Sequence, residues 1–524
     1  MKTAIDIQEE NTVLKAELSL KNNLIDEKNK VIEQKDKTLE QKNHYILQLE
    51  EAIKQQRQKA FSASSEKASA DQLGLFNEAE NSDAESCEVA TPEDTVSVAS
   101  HTRQKKPRVS IPDDLPREDI IHDLSESEKI CPHDGTELQV IGSEDHEQLD
   151  IIPAQVNVIR HKRLKYACPC CNQYIVTAKK PKQPIEKSIA SPGLLAFVAT
   201  QKYCDALPLY RQSEIFKRLG IELDRSNLAN WMIKSGELVQ PLINLLQDQL
   251  LERSLVHMDE TTVQVLNEPD KKAQSKSYMW LMASFTHKPI TLFHYDSSRS
   301  QSIPQRLLTA EVNALMVDGY NGYQAACDDY HIRRLGCWAH ARRYFMDAKK
   351  LQAKGKVGKS DQAIAFIQKL YLIETQIKDD PPDQRYTIRQ QQAKPIIDKI
   401  KRWLDKSVPH VPPKTALGKA LHYLHNQWHY LIGYLDDGAY PIDNNLAENA
   451  IRPFAVGRKN WLFANSQAGA KASANLYSLI QTAKANKLNP YAYLKHVFKA
   501  LPNAQCVEDI ENVLPWNLAE TLTD

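Results

Sequence analysis

The chain has 524 residues, 42% of them hydrophobic, too long for one simple domain and ample for a large buried core. Its 67 basic and 67 acidic residues cancel, so the total charge excludes no class of partner and only its distribution informs. No apolar run approaches the ~18 residues of a membrane span, and the start, MKTAIDIQEENTV, lacks a signal-peptide core, so a cytoplasmic protein without a membrane partner is expected.

In chain order, 1–60 reads as one helix, free of Gly and Pro from residue 5 onward. Leu18, Ile25, Ile32, Leu39, Ile46 and Ile53 recur at heptad spacing, whereas the second seam position holds Lys21, Lys28, Lys35 and Lys42. Half a seam suits a weak or partner-dependent coiled coil; a solvated helix with an apolar stripe fits the pattern too. Residues 61–115 form a linker. From Ala68 to Thr102 it carries eight acidic and no basic residues, and RQKKPR follows at 103–108.

The segment 116–182 is compact and β-patterned, from CPHDG to CPCC. Cys131 and the Cys168-x-x-Cys171 pair have the spacing of a zinc-finger-like site, with Asp134 where a fourth cysteine would stand; His133 is the other candidate ligand. Three ordinary reduced cysteines are the plainer reading. Residues 183–250 look helical. LPLYRQSEIFKRLGIELDRSNLANWMIKSG has the form helix, turn, helix, with Arg225, Ser226, Asn227 and Asn230 near the start of the second helix, where a helix-turn-helix meets DNA. Any two packed helices joined by LGIEL would share that look.

After Arg253 the texture turns to β. LVHMDETTVQVL, SYMWLMASF and PITLFHYD predict an antiparallel meander, LTAEVNALMVDGYNGY another strand, and HIRRLGCWAHARRYFMDA a strand leading into a helix. Residues 346–435 read as all-α, 436–500 as the return to the β-containing part on a helix starting near Asn444, and 501–524 as a tail.

Asp259 and Asp318 end apolar runs, and Glu448 opens a helix followed by Arg452, Arg458, Lys459, Trp461 and Phe463. Two Asp at strand ends plus a helical Glu supply the hard oxygen ligands that Mg²⁺ needs, and a pair of ions can serve an in-line phosphoryl displacement. The basic residues would hold phosphates, and Trp461 would stack on a base. Turn capping by the Asp residues and a helix-dipole role for Glu448 account for the same residues without a metal. Arg342 and Arg343 are candidate DNA contacts or a solvated basic face. Cys337 and His340 resemble half a metal site, more simply packing residues at the strand-to-helix junction. One of Asp443, Asn444 and Asn445 is expected to cap the Glu448 helix. His257, facing the same side of its strand as Asp259, is expected to pack or hydrogen-bond rather than serve as a base.

These stretches closely resemble the insertion-sequence-66 family of bacterial DDE transposases. FSASSEKASADQLGLFNEAE, LDIIPAQVNVIRHKRLKYAC, VHMDETTVQVL, VDGYNGY, CWAHARRYF, DNNLAENAIRPFAVGRKNWLFANS and YSLIQTAKANKLNPYAYL carry the likeness along nearly the whole chain. The resemblance implies an α+β/α/β multidomain protein with an RNase H-like catalytic core, first part 251–345 and Glu-helix part 436–500, interrupted by the all-α insertion. It implies Asp259, Asp318 and Glu448 as the catalytic, metal-binding triad, with two Mg²⁺ (or Mn²⁺) ions and one structural Zn²⁺. Binding of the element's terminal inverted repeats, cleavage and strand transfer into target DNA would follow, in a nucleoid-associated homodimer or higher oligomer, with small companion proteins from the same element. Asp134 departs from the family's usual cysteine. The rival functions are a nuclease that cuts without joining, a catalytically inactive DNA-binding regulator, and a coiled-coil scaffold.

Overall fold

A computed structural model describes residues 4–61, 156–167, 175–352 and 357–518. Cys131, Asp134, Cys168 and Cys171, and the acidic and basic linker runs, lie outside the described residues. The chain divides into two compact units, Glu85–Lys179 and the remainder. Helix α1 (Ala4–Phe61) belongs to the larger unit; its heptad residues Leu18, Ile25, Ile32, Leu39, Ile46 and Ile53 are each more than half exposed. In the smaller unit, strands β1 (Lys165–Ala167) and β2 (Ile175–Thr177) pair antiparallel, Tyr166 opposite Val176.

Four helices lead into the main sheet: α2 (Pro192–Tyr203), α3 (Leu209–Arg218), α4 (Arg225–Leu238) and α5 (Gln240–Leu251). The Ser191 hydroxyl accepts the Leu194 amide and Pro192 fills the first turn, so α2 starts where its sequence dictates. Between α3 and α4 the chain turns at Gly220, whose φ of +81° suits a residue without a Cβ.

Strands β3 (Leu255–Asn267), β4 (Lys276–Ser284) and β5 (Ile290–Asp296) form the expected antiparallel meander, with Asp259 opposite Leu281 and Leu281 opposite Phe293. After helix α6 (Ser302–Leu307), strand β6 (Ala314–Val317) runs parallel to β3 with Met316 opposite His257. Helix α7 (Gln324–Tyr330) then returns the chain to β7 (Arg333–Gly336), parallel to β6. The order is β5-β4-β3-β6-β7. Met279–Ala283 and Ala314–Val317 are fully buried, which is why these strands are continuously apolar rather than alternating.

From Trp338 to Leu435 the described residues form no strand. Here lie α8 (Trp338–Lys350), α9 (Lys359–Gln376), α10 (Pro382–Ile388), α11 (Lys394–Ser407), α12 (Ala416–Asn426) and α13 (Trp428–Leu431), with a π turn at Arg389–Ala393 joining α10 to α11. They share a core that includes Trp338, Phe345, Ile367, Leu370, Leu404 and Leu424. Arg389, fully buried in this region, forks onto Glu374 at 2.9 and 2.6 Å and donates to the Tyr434 and Asp437 carbonyls at 2.8 Å. All its charge is thereby paired or hydrogen-bonded.

Helix α14 (Asn445–Trp461) packs on β3, whose far end pairs with the short strand β8 (Ala464–Ser466). Helix α15 (Gln467–Ala485) covers the edge of β5: the Phe293 amide donates to Ser478 Oγ at 2.7 Å, and Thr482 Oγ1 exchanges hydrogen bonds with both backbone groups of Thr291. Hydroxyls thus occupy an edge that would otherwise be open to pairing. Helices α16 (Pro490–Ala500) and α17 (Val507–Glu511) follow. No described helix is long and apolar enough to cross a membrane.

Small residues let α15 approach α4 closely. A Cβ on Gly236 would lie 2.6 Å from both Cα and Cβ of Ala472, an overlap that rigid backbone cannot relieve. Gly236→Ala is therefore expected to destabilise by about 1–3 kcal/mol despite alanine's better helix propensity. On α15 itself, a Cβ at Gly469 would meet only Ser466 Oγ, at 3.6 Å, so Gly469→Ala should be neutral or stabilising. Thermal melts of both variants test the pair, and equal melting temperatures would refute the close packing.

Candidate active site

Asp259 sits inside β3 rather than at its end, because the β-branched residues that follow it continue pairing with β4. Asp318 stands one residue past β6, its Oδ1 accepting the Tyr320 amide at 2.9 Å. Glu448 lies in the first turn of α14, with 21% of its side chain exposed. Asp318 and Glu448 both come within electrostatic reach of Asp259. Burial first, then the negative charges of Glu260, Asp318 and Glu448, push the Asp259 carboxyl well above the usual carboxylate range, while the Glu260 amide on Oδ1, at 2.9 Å, pulls the other way.

Cations and dipoles hold Glu448. Arg343 donates to Oε2 at 2.8 Å, and Oε1 lies 3.4 Å from His340 Nδ1. Both Arg343 and His340 come from α8, which Cys337 precedes. Among the described residues, the one set of three metal-ligating side chains whose donor atoms all lie within 4.8 Å is Cys337, His340 and Glu448.

The start of α14 is fixed by Asn444, which is 1% exposed. Asn444 occupies the N-cap position, as its residue type suggests, yet its side chain makes no capping bond. It instead donates to the Met258 carbonyl at 2.9 Å and accepts from His257 Nδ1 at 2.9 Å, while its amide donates to Cys337 Sγ at 3.2 Å. With the amide nitrogen of the side chain committed to Met258, the oxygen faces His257, so Nδ1 carries the proton. Burial holds the His257 pKa down to about 4, and the imidazole is neutral. His257 therefore helps to clasp β3 to α14. Asp443 accepts from Tyr371 and from Asn445, at 2.6 and 3.0 Å.

Glu260 was missed by reading the sequence. Its side chain is 2% exposed and takes hydrogen bonds from the buried Tyr323 hydroxyl and from Arg299, whose Nε lies at 2.8 Å. Arg299 in turn lies over the Tyr320 ring at 3.9 Å. The only sequence signal was a second carboxylate beside Asp259, and which side it faced depended on partners 39 and 63 residues away.

The candidate DNA contacts fall into two groups. Arg225, Ser226, Asn227 and Asn230 are exposed at the start of α4, and Arg343, Arg452 and Lys459 are also exposed. The others face inward. Arg342 is 4% exposed. Arg458 donates to Thr261 Oγ1 and Thr262 Oγ1 at 2.9 and 3.0 Å, tying α14 to β3. Trp461 packs edge-on against Phe454 at 5.5 Å, with Lys202 over its ring at 5.2 Å. Phe463, two residues on, is 43% exposed.

Comparison with known proteins identifies the family. A model described as the transposase IS66 family matches residues 187–472, which include all three carboxylates. The zinc-finger binding domain of transposase IS66 matches 128–172, spanning Cys131, Asp134, Cys168 and Cys171. An IS66 C-terminal element matches 478–516, and a model described as Transposase C of IS166 homeodomain matches 48–120. Among relatives, uncharacterized protein y4qI of Sinorhizobium fredii is 31% identical over 428 residues, 79% of this chain and 78% of that protein. Protein y4jD of the same organism is 30% identical over 420 residues, 78% of this chain and 81% of its own length. The chain belongs to the IS66 family of transposases.

Proposed function

We propose that the chain cuts and joins DNA at the ends of a bacterial insertion sequence, with Asp259, Asp318 and Glu448 as the metal-binding catalytic triad. One observation carries the reading: two strands and a distant helix bring three carboxylates close enough for Asp318 and Glu448 to raise the pKa of Asp259. Such crowding of like charge costs stability and is relieved by a cation. The strand sequence supports an RNase H-like core, with three antiparallel strands first, a parallel fourth that leads to Asp318, and a late helix bearing Glu448. The helical stretch between them fits an inserted all-α subdomain.

The donor set is hard and all-oxygen, and Glu448 Oε1 is buried without a hydrogen-bond partner, which fits Mg²⁺ or Mn²⁺. When bound, such ions supply positive charge against the attacking and leaving oxygens of an in-line displacement. The chain's own groups do the rest. Asp259 and Asp318 present carboxylates from rigid strands, the Asn444 clasp sets the height of Glu448 over β3, and Arg343 balances its charge. Arg225, Ser226, Asn227, Arg452 and Lys459 are exposed where backbone and base contacts would be made, and RQKKPR would add salt-dependent affinity. The exposed heptad stripe of α1 supports dimerisation, and the zinc-finger segment supports recognition of the terminal repeats, with Zn²⁺ held by Cys131, Asp134, Cys168 and Cys171.

Glu448→Gln should lower Mg²⁺-dependent cleavage of terminal-repeat DNA by about 100-fold or more, with end binding changed less than about threefold. Nicking at the wild-type rate would remove Glu448 from the triad. In the same assay, products joined to a supercoiled target distinguish transposition from simple cutting.

The strain on Asp259 gives a second test. A carboxyl whose folded pKa exceeds its unfolded value contributes stability at low pH and loses it as pH rises through the folded value. Asp259→Asn keeps the Oδ1 acceptor and never ionises. In chelator, its melting temperature should match wild type near about pH 4 and exceed it by about 2–4 °C near pH 8, while cleavage is lost. No gain at the alkaline end would show that Asp259 is not strained by its neighbours.

A further inference from the structure

Cys337, His340 and Glu448 differ chemically from the all-oxygen triad. Cys337 directly precedes α8 and is fully buried; His340 lies one turn into that helix; Glu448 comes from α14. Neither His340 Nδ1 nor Glu448 Oε1 has a hydrogen-bond partner, although both are buried and 3.4 Å apart. The Asn444 amide already donates to the sulfur at 3.2 Å, the kind of outer contact that orients a thiolate ligand.

We propose that these three side chains form a second cation site, specific for a thiophilic ion such as Zn²⁺, and that filling it withdraws Glu448 from the magnesium-binding triad and stops DNA cleavage. The inhibitory half of this rests on the function proposed above; the binding half does not. Tetrahedral zinc sets its ligand atoms roughly 3.4–3.6 Å apart, so donor atoms now within 4.8 Å have to close by about 1 Å. A water supplies the fourth position. Zn²⁺ takes the Cys337 sulfur as thiolate, and the thiol proton leaves to solvent. Thiolate and imidazole select zinc strongly over magnesium, which keeps to oxygen and water. Glu448 is the shared ligand. Its Oε1 already lies 3.4 Å from His340 Nδ1, so zinc needs little movement of that carboxylate.

Cobalt, a spectroscopic stand-in for zinc, tests the site in the full chain. Titration of Co²⁺ should show one fewer bound ion in Cys337→Ser than in wild type, with a matching loss of thiolate-to-cobalt absorbance. The share due to the zinc-finger cysteines should be unchanged. His340→Gln should lose the same ion, with circular dichroism checking that both variants fold. In cleavage assays with excess Mg²⁺, micromolar Zn²⁺ should slow wild type by about tenfold or more, and each variant by less than about twofold relative to its own zinc-free rate. Equal cobalt stoichiometry and absorbance in wild type and Cys337→Ser would overturn the site. Zinc bound through Cys337 with undiminished cleavage would overturn the inhibition. If wild type cuts no DNA in Mg²⁺, the proposed function fails, and the cobalt titration still decides the site.

Discussion

The crowding of acidic side chains around Asp259 is the constraint on which the rest of the structure turns. Asp318, Glu448 and Glu260 all add negative charge to a partly buried position, and separated charges of one sign relax apart unless something holds them. The parallel pairing of β3 with β6, which ends at His257 opposite Met316, brings Asp259 and Asp318 to the same end of the two strands. Glu260 is neutralised sideways by Arg299 and Tyr323. Glu448 has no strand to anchor it, so its placement depends on side chains.

Those side chains form a short chain of contacts. Asn444 joins the backbone of β3 to the start of α14, His257 buttresses it from within the sheet, and Cys337 meets its amide from the start of α8. Arg458, nearly four turns along, ties the same helix to the far half of β3. A neutral His257 matters here: a charged imidazole in that buried position would carry a desolvation cost with no carboxylate in direct contact. His257 thus acts as the hydrogen-bonding residue its sequence position suggested, and Cys337 meets the same junction.

Much of this was legible in advance, for physical reasons. The β3-β4-β5 meander follows from alternating and continuous apolar runs, and the carboxylates stand out because charged residues rarely interrupt such runs. Residues whose role depends on distant partners were harder. Glu260 went unread because nothing local marks it: its partners Arg299 and Tyr323 lie 39 and 63 residues away. Arg458 and Trp461 read as DNA contacts because they lie in a basic, aromatic segment, but Arg458 turns toward β3 and Trp461 packs back on Phe454 of its own helix. Asn444 was expected among the helix-capping types; which acceptor its amide takes is set by the strand beside it, and local sequence says nothing of that.

The helical stretch from α8 to α13 shows how the site tolerates so long an excursion between Asp318 and Glu448. Its two ends meet. The Trp338 amide donates to the Ile442 carbonyl at 3.2 Å, and the Asn444 amide reaches Cys337. The chain therefore leaves the sheet after β7 and returns beside its point of departure, which keeps the loop-closure cost out of the site itself. The excursion is also clamped to the sheet: Arg333 of β7 pairs with Asp436 at 2.6 Å, and the Tyr423 ring packs directly on Gly319. A Cβ at position 319 would lie 2.7 Å from that ring, so glycine after Asp318 is what lets the helices seat against the acidic cluster. Movement of the helical stretch against the sheet would reach Asp318 through Gly319 and Glu448 through Cys337 and Asn444 together. The geometry of the three carboxylates and the seating of the helices are, mechanically, one variable.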